Sequence, residues 1–140
     1  MEELRKWQRR FRDIRKIINR AIVENQEEIL DLNIAQLESG KDSNDAYLDE
    51  YEYDSYAKMK KGPPYNSKAP LGIPNLRLEG DFHEGFIMEP DGDDFNITST
   101  DSKTDRLRDK YGDDIFGLNK RNIGEAASLI LEDTLKEIRK

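Results

Sequence analysis

The chain has no cysteine, which excludes disulfides, thiolate catalysis and zinc–thiolate sites together. It has a single histidine, His83, and one imidazole without a second His or a Cys does not build a transition-metal site. No apolar run approaches membrane-spanning length, and the N-terminus lacks the apolar stretch of a signal peptide. A soluble protein made inside the cell is the expectation. There is no phosphate-cradling Gly-Lys-Ser/Thr loop, nucleophile elbow or dinucleotide fingerprint. The acidic clusters "DSNDAYLDE" and "DGDDFN" lack the ligand alternation and terminal Glu of a calcium loop. Asn96-Ile97-Thr98 matches a glycosylation acceptor, but with no secretory signal it reads as strand composition. No pair of carboxylates stands out for acid–base work. These absences lead to the expectation of no enzyme, no metal and no cofactor.

What is present is charge, and it is unevenly distributed. Of 140 residues, 38% are charged and 35% hydrophobic, enough for one domain with a modest core. The net charge of −7 hides blocks of opposite sign. Residues 1–20 carry eight Lys/Arg against three acids, and residues 24–57 carry eleven acids against one Lys. Residues 58–68 hold four lysines and no acid. A globally acidic chain does not wrap nucleic acid on all sides. Alternating blocks suit charge-complementary contact between copies or with a partner, although any one block alone reads as a solvated face.

The first segment places Leu4, Trp7, Phe11, Ile14, Ile18 and Ala21 at steps of three and four. This predicts a long amphipathic helix over 1–38, its apolar stripe facing the core and continuing through Ile22, Ile29 and Leu32. Arg5, Arg9, Arg12, Lys16 and Arg20 share the spacing and lie opposite the stripe. They form either a solvated face or a docking strip for phosphate or acidic protein. Glu24, Glu27 and Glu28 then reverse the sign, which argues against a DNA-binding helix.

Residues 39–75 are punctuated by Gly40, Gly62 and Pro63, Pro64, Pro70 and Pro74, and predict an extended arm or loop. Tyr47, Tyr51, Tyr53 and Tyr56 sit there among acids, either as interface side chains or laid on the parent core. Residues 76–140 predict a hairpin and two helices. Leu76 and Leu78 alternate, then Phe82, Phe86 and Met88 run toward a turn at Pro90–Asp93, and Phe95, Ile97 and Ser99 run away from it. His83 falls out of phase with the phenylalanines and is expected to face solvent or a neighbour. A short helix follows, capped at Asp101 or Ser102 and stopped by Gly112. The last helix starts at Asn119 and buries Ile123, Ala127, Ile130 or Leu131, Thr134 and Ile138. The expected fold is one α+β domain over 1–140: a long N-terminal helix, an irregular arm, a small antiparallel sheet with a hairpin, a short helix and a C-terminal helix.

The runs "QLESGKDSNDAYLDEYEYDSYAKMKKG", "LRLEGDFHEGFIM", "FNITSTDSK" and "LRDKYGDDIFGLN" resemble small virion proteins of bacteriophages, especially those of Bacteroidota hosts. The family is the head–tail connector, neck and tail-completion or tail-terminator type. Its Gly-marked strand entrance matches Leu78, Gly80, Asp81 and Phe82, and its Tyr-Gly stretch matches Tyr111, Gly112, Ile115, Phe116 and Leu118. One departure is Glu79, where Thr or Ser is often found. The resemblance covers roughly residues 35–135.

The resemblance implies a structural protein of the virion, made in the bacterial host cytoplasm. It implies copies closed into a ring and bound to neighbouring connector, portal or tail proteins, with no catalysis, no cofactor and no membrane. In such a ring the acidic residues 42–54 are expected to meet the Arg5–Arg20 face of the next copy. The other use of that face is contact with packaged DNA in a channel. The rival from another class is a small acidic inhibitor or DNA mimic that binds a host defence protein. The basic helix argues against it, because a mimic needs a continuous negative surface. A metal-dependent nuclease ranks last.

Overall fold

Helical periodicity at the N-terminus produces a helix that is interrupted once. In the computed structural model, which describes residues 1–77, 80–91 and 94–140, α1 spans Glu2–Glu24 and α2 spans Gln26–Glu38. The predicted single rod breaks at Asn25, where φ is −101° and ψ is 15°, well away from helical ψ. Asparagine competes with the backbone for hydrogen bonds. Here its Nδ2 donates to the Ala21 carbonyl at 2.8 Å and to Asp133 Oδ2 at 2.7 Å. The break is therefore fastened to the C-terminal helix.

The remaining described elements are α3 (Asp54–Lys61), α4 (Asp81–Glu84), β1 (Phe86–Asp91), β2 (Asp94–Ser99), α5 (Thr104–Tyr111), a 3-10 turn (Asp113–Ile115) and α6 (Lys120–Ile138). Among the described residues, six helices and a two-stranded antiparallel sheet make the fold α+β. The hairpin pairs Phe86 with Ser99, Met88 with Ile97 and Pro90 with Phe95, and still pairs Asp91 with Asp94. The predicted turn at Pro90–Asp93 is thus too wide, because Pro90 and Asp91 belong to the strand. Gly92 and Asp93 of that turn, and Leu78 and Glu79 of the strand-entrance motif, lie outside the described residues.

Two expectations fail at the entrance to the sheet. Residues 81–84 are one helical turn, entered from Gly80 at φ +92°, and not the start of a strand. Helical spacing turns Phe82 and His83 both inward, so His83 is only 4% exposed and does not face solvent. Phe82 joins Leu37, Leu48, Phe86 and Ile115 in the buried core, with Leu30, Ile34, Ile97 and Phe116 packed around it. Its ring meets Phe86 edge-on at 5.1 Å, a favoured aromatic arrangement.

Residues 39–75 are not a free arm. They contain α3, unforeseen because the tyrosine spacing masked it, although Lys58, Lys60 and Lys61 in its last turn suit the helix dipole. Leu48, Ala57 and Ala69 are buried, so the segment lies on the body of the protein. Gly40 makes the close approach possible. Its φ is +82°, and a Cβ there would strike Ile73 Cγ2 and stand 2.9 Å from Ala69 Cβ.

The two C-terminal helices follow their predicted signals in part. Gly112, at φ +89°, ends α5 as expected, but the N-cap is Lys103. Asp101 acts just before it, its carboxylate accepting from the Lys103 amide at 3.0 Å. Asn119 caps α6 as expected, Oδ1 accepting from Asn122 N at 2.9 Å. The buried side of α6 is rotated from the predicted one. Ala126 and Thr134 are buried and Ile130 half-buried, whereas Ile123, Ala127, Leu131 and Ile138 are exposed. The reason is that α6 packs along α1 and α2 on one side, while its apolar surface is wider than those helices cover.

Candidate protein interface

The placement of α6 rests on two buried amides of α2. Asn33, fully buried, donates from Nδ2 to the Ile115 carbonyl at 3.0 Å and accepts from Gly117 N at 2.9 Å. Gln36 donates to the Gly117 carbonyl at 3.0 Å, and its Oε1 accepts from Asn119 N at 2.8 Å and Asn122 Nδ2 at 2.6 Å. Four of these five bonds satisfy backbone groups of the 115–119 loop that burial would otherwise leave unpaired, and the fifth ties the Asn122 side chain to Gln36. Asn122 also reaches the Leu32 carbonyl at 3.3 Å, and Asp133 holds Asn25. So α6 runs antiparallel to the N-terminal helices, and its end at Lys140 comes under the charges of Glu24 and Arg20.

Beyond that end α1 has no cover. Every residue from Met1 to Lys16 is exposed, a helical overhang of about 24 Å. The predicted core-facing stripe is therefore bare over this length: Leu4 is 57% exposed, Trp7 56% and Phe11 62%. Trp7 and Phe11 lie side by side, centroids 6.2 Å apart, and the Arg10 guanidinium sits 5.7 Å from the Trp7 ring. Helical geometry keeps Arg5, Arg9, Arg12, Lys16 and Arg20 on the other side, all exposed. The result is a contiguous apolar strip exposed to water along one side of a charged helix.

A second apolar surface faces solvent on the body. An open groove of about 940 Å³ lies between the hairpin, the 116–118 loop and the N-terminal half of α6, with Ile22 and Ile29 also lining it. Phe95, Ile97, Phe116, Ile123 and Ile130 line it, and Glu89, Asp94 and Asp113 stand along it. Its one arginine, Arg108, is engaged: Nε is 3.0 Å from Asp113 Oδ1, and the guanidinium lies 5.1 Å from the Phe116 ring. This groove was not foreseen from sequence. The alternation in β2 and the extra apolar residues of α6 were its only signals.

The four candidate tyrosines fall on residues 47–56, with Tyr56 inside α3. Tyr47, Tyr53 and Tyr56 are exposed. Tyr51 is half-buried, edge-on to Tyr56 at 4.9 Å, with its amide bonded to the Gly72 carbonyl at 2.8 Å. Burial pushes the Tyr51 phenol up to about 12, with Tyr56 adding to the shift and the Asn75 backbone opposing it. Of the acids among them, Asp42 accepts from the Asn44 and Ala46 amides, and Asp45 pairs with Lys41 at 3.7 Å. Asp49, Glu50, Glu52 and Asp54 are exposed.

His83 is a core residue. Burial lowers its pKa from 6.5 to about 4; Glu38 opposes the shift, and Arg77 adds to it. Glu38 Oε1 stands 4.0 Å from Nδ1 and is itself bonded to Arg77. The Asn75 backbone also favours the charged ring, and among the described residues neither ring nitrogen has a well-aligned hydrogen-bond partner. Among the described residues no group of three His, Asp or Glu is arranged to hold a metal ion. Among them, too, no helix is long and apolar enough to cross a membrane. No protein-family model, curated protein or solved structure matches the chain.

Proposed function

We propose that the chain is a structural subunit of a phage virion at the head–tail junction, of the neck or tail-completion type. It acts by contact with copies of itself in a ring and with adjoining connector, portal or tail proteins. The observation that carries the reading is the bare amphipathic overhang of α1. Solvent exposure of Leu4, Trp7 and Phe11 has no stabilising role in a lone subunit, and it gains one when another protein covers them. The quoted motifs supply the class of assembly. The exposed carboxylates of Asp49, Glu50, Glu52 and Asp54 are the counterpart for the Arg5–Arg20 face of a neighbour. Different patches meeting in this way generate rings when the rotation closes.

Charge reversal tests this. The triple variant Arg5→Glu, Arg9→Glu, Arg12→Glu touches only exposed residues and is expected to stay folded by circular dichroism while losing assembly by light scattering. Normal assembly of that variant removes the charge pairing. Purified particles without this chain remove the virion reading, and a stable monomer that binds a host protein through its carboxylates establishes the inhibitor instead. If the basic face holds packaged DNA, moderate salt weakens DNA retention and leaves the ring intact.

A further inference from the structure

We infer that the apolar stripe of α1 docks in the hairpin–α6 groove of the next copy, with Trp7 and Phe11 as its anchors. This deepens the ring reading and rests on it. The two surfaces match in kind: one is a bare apolar ridge, the other a bare apolar trough. They match in length, since the overhang is about 24 Å and a six-residue strand along the groove is about 20 Å. They match in charge as well. Arg10 flanks the ridge beside Trp7, and Glu89 and Asp94 stand along the trough, where Asp113 is already paired with Arg108.

The occupant is a second copy, for two reasons. Ile22, in the last turns of α1, already lines the groove. The same continuous helix cannot also turn its first four turns into that groove. Nor do two overhangs suit each other as well, because pairing them stripe to stripe leaves the apolar groove of both copies uncovered, whereas ridge in trough covers both surfaces. Ridge and trough are different patches, so each copy offers one of each and the contact runs head to tail. The basic side of α1 then points out of the groove, free to meet the acids of residues 49–54.

Two variants of the full chain test the joint. Trp7→Asp with Phe11→Asp disables the ridge, and Ile123→Asp with Ala127→Asp blocks the trough; all four positions are exposed, so folding is retained. Each variant alone is expected to raise the concentration for half-assembly roughly 100-fold or more, the loss typical of central anchors. An equimolar mixture restores one intact joint and stops at a dimer. Benzoylphenylalanine at position 11 is expected to cross-link to residues 95–97 or 123–130 of another copy. Assembly of both variants like the wild type overturns the docking and spares the ring. Cross-links to a neighbour's α1 do the same. A chain that is monomeric at all concentrations and binds vesicles of anionic lipid through α1 overturns both. Ridge-dependent chains in solution with none of the protein in particles overturn the virion reading and keep the docking.

Discussion

The N-terminal half of α1 and the whole of α2 belong to one amphipathic stretch, yet they end in opposite environments. Over α2, Ile29, Asn33, Gln36 and Leu37 are buried beneath α6, the 115–119 loop and the aromatic core. Over residues 1–16 nothing is buried. The half with the cleaner apolar stripe is the half whose stripe stays exposed. Periodicity reports that a helix has a side suited to burial; it does not report what covers that side. The buried half differs by carrying polar residues, Asn33 and Gln36, that answer specific backbone groups. The bare half has a smooth apolar ridge and charge.

The comparison breaks most visibly at Asn33. Asn33→Leu keeps the volume but leaves the Ile115 carbonyl and the Gly117 amide without their partner. With a penalty of about 1–3 kcal/mol for each buried unpaired group, a loss of roughly 3–4 kcal/mol is expected in denaturant unfolding. The loop and α6 should loosen first, seen as faster amide exchange over residues 115–125. A loss below about 1 kcal/mol would show that the amide network follows the packing and does not set it.

Next comes pH, through His83 under the same buried half. Its folded pKa is about 4 against an ordinary 6.5, so the folded state holds the ring neutral where the unfolded chain protonates. Stability is then fully present above pH 6.5 and is lost as pH falls toward 4. At about 1.36 kcal/mol per unit, this one group accounts for up to about 3 kcal/mol. His83→Leu should flatten the stability profile between pH 6.5 and 4, whatever its effect at pH 7. An unchanged slope would place the acid sensitivity elsewhere.

Element type was largely legible in the sequence, and burial was less so. The Asn119 cap, the Gly112 stop and the presence of the hairpin, though not its turn, followed from local chemistry, because capping and strand alternation are decided by neighbours a few residues apart. His83 was misplaced because the period of a strand was carried back through residues 81–84, where a left-handed Gly80 starts a helical turn. The buried side of α6 was misplaced because its apolar surface exceeds what α1 and α2 cover, and no local pattern says which part wins. Tyr47, Tyr51 and Tyr53 lie outside helix and strand as their spacing suggested, but Tyr56 lies within α3, and the mixed spacing concealed that helix. Of the candidate interface, the basic face was visible at once. The groove was not, since it is built from residues 22–130 and exists only after they fold.

The smallest expected effect is the sharpest test of the comparison. Trp7→Ser with Phe11→Ser removes two large aromatic side chains. Were the stripe a core stripe, losses of about 3–5 kcal/mol each would follow. In the structure both side chains face water at more than half their area, and the rings touch mainly each other and Arg10. At a concentration where the chain is monomeric, the double variant should therefore unfold within about 0.5 kcal/mol of the wild type. Helicity of the overhang should also change little, because α1 continues into the part packed against α6 and propagates outward from it. A loss of several kcal/mol in the monomer would mean that the stripe folds back onto its own chain. No loss in the monomer, beside a clear loss in the assembly, assigns the stabilising role of these two rings to contact between copies.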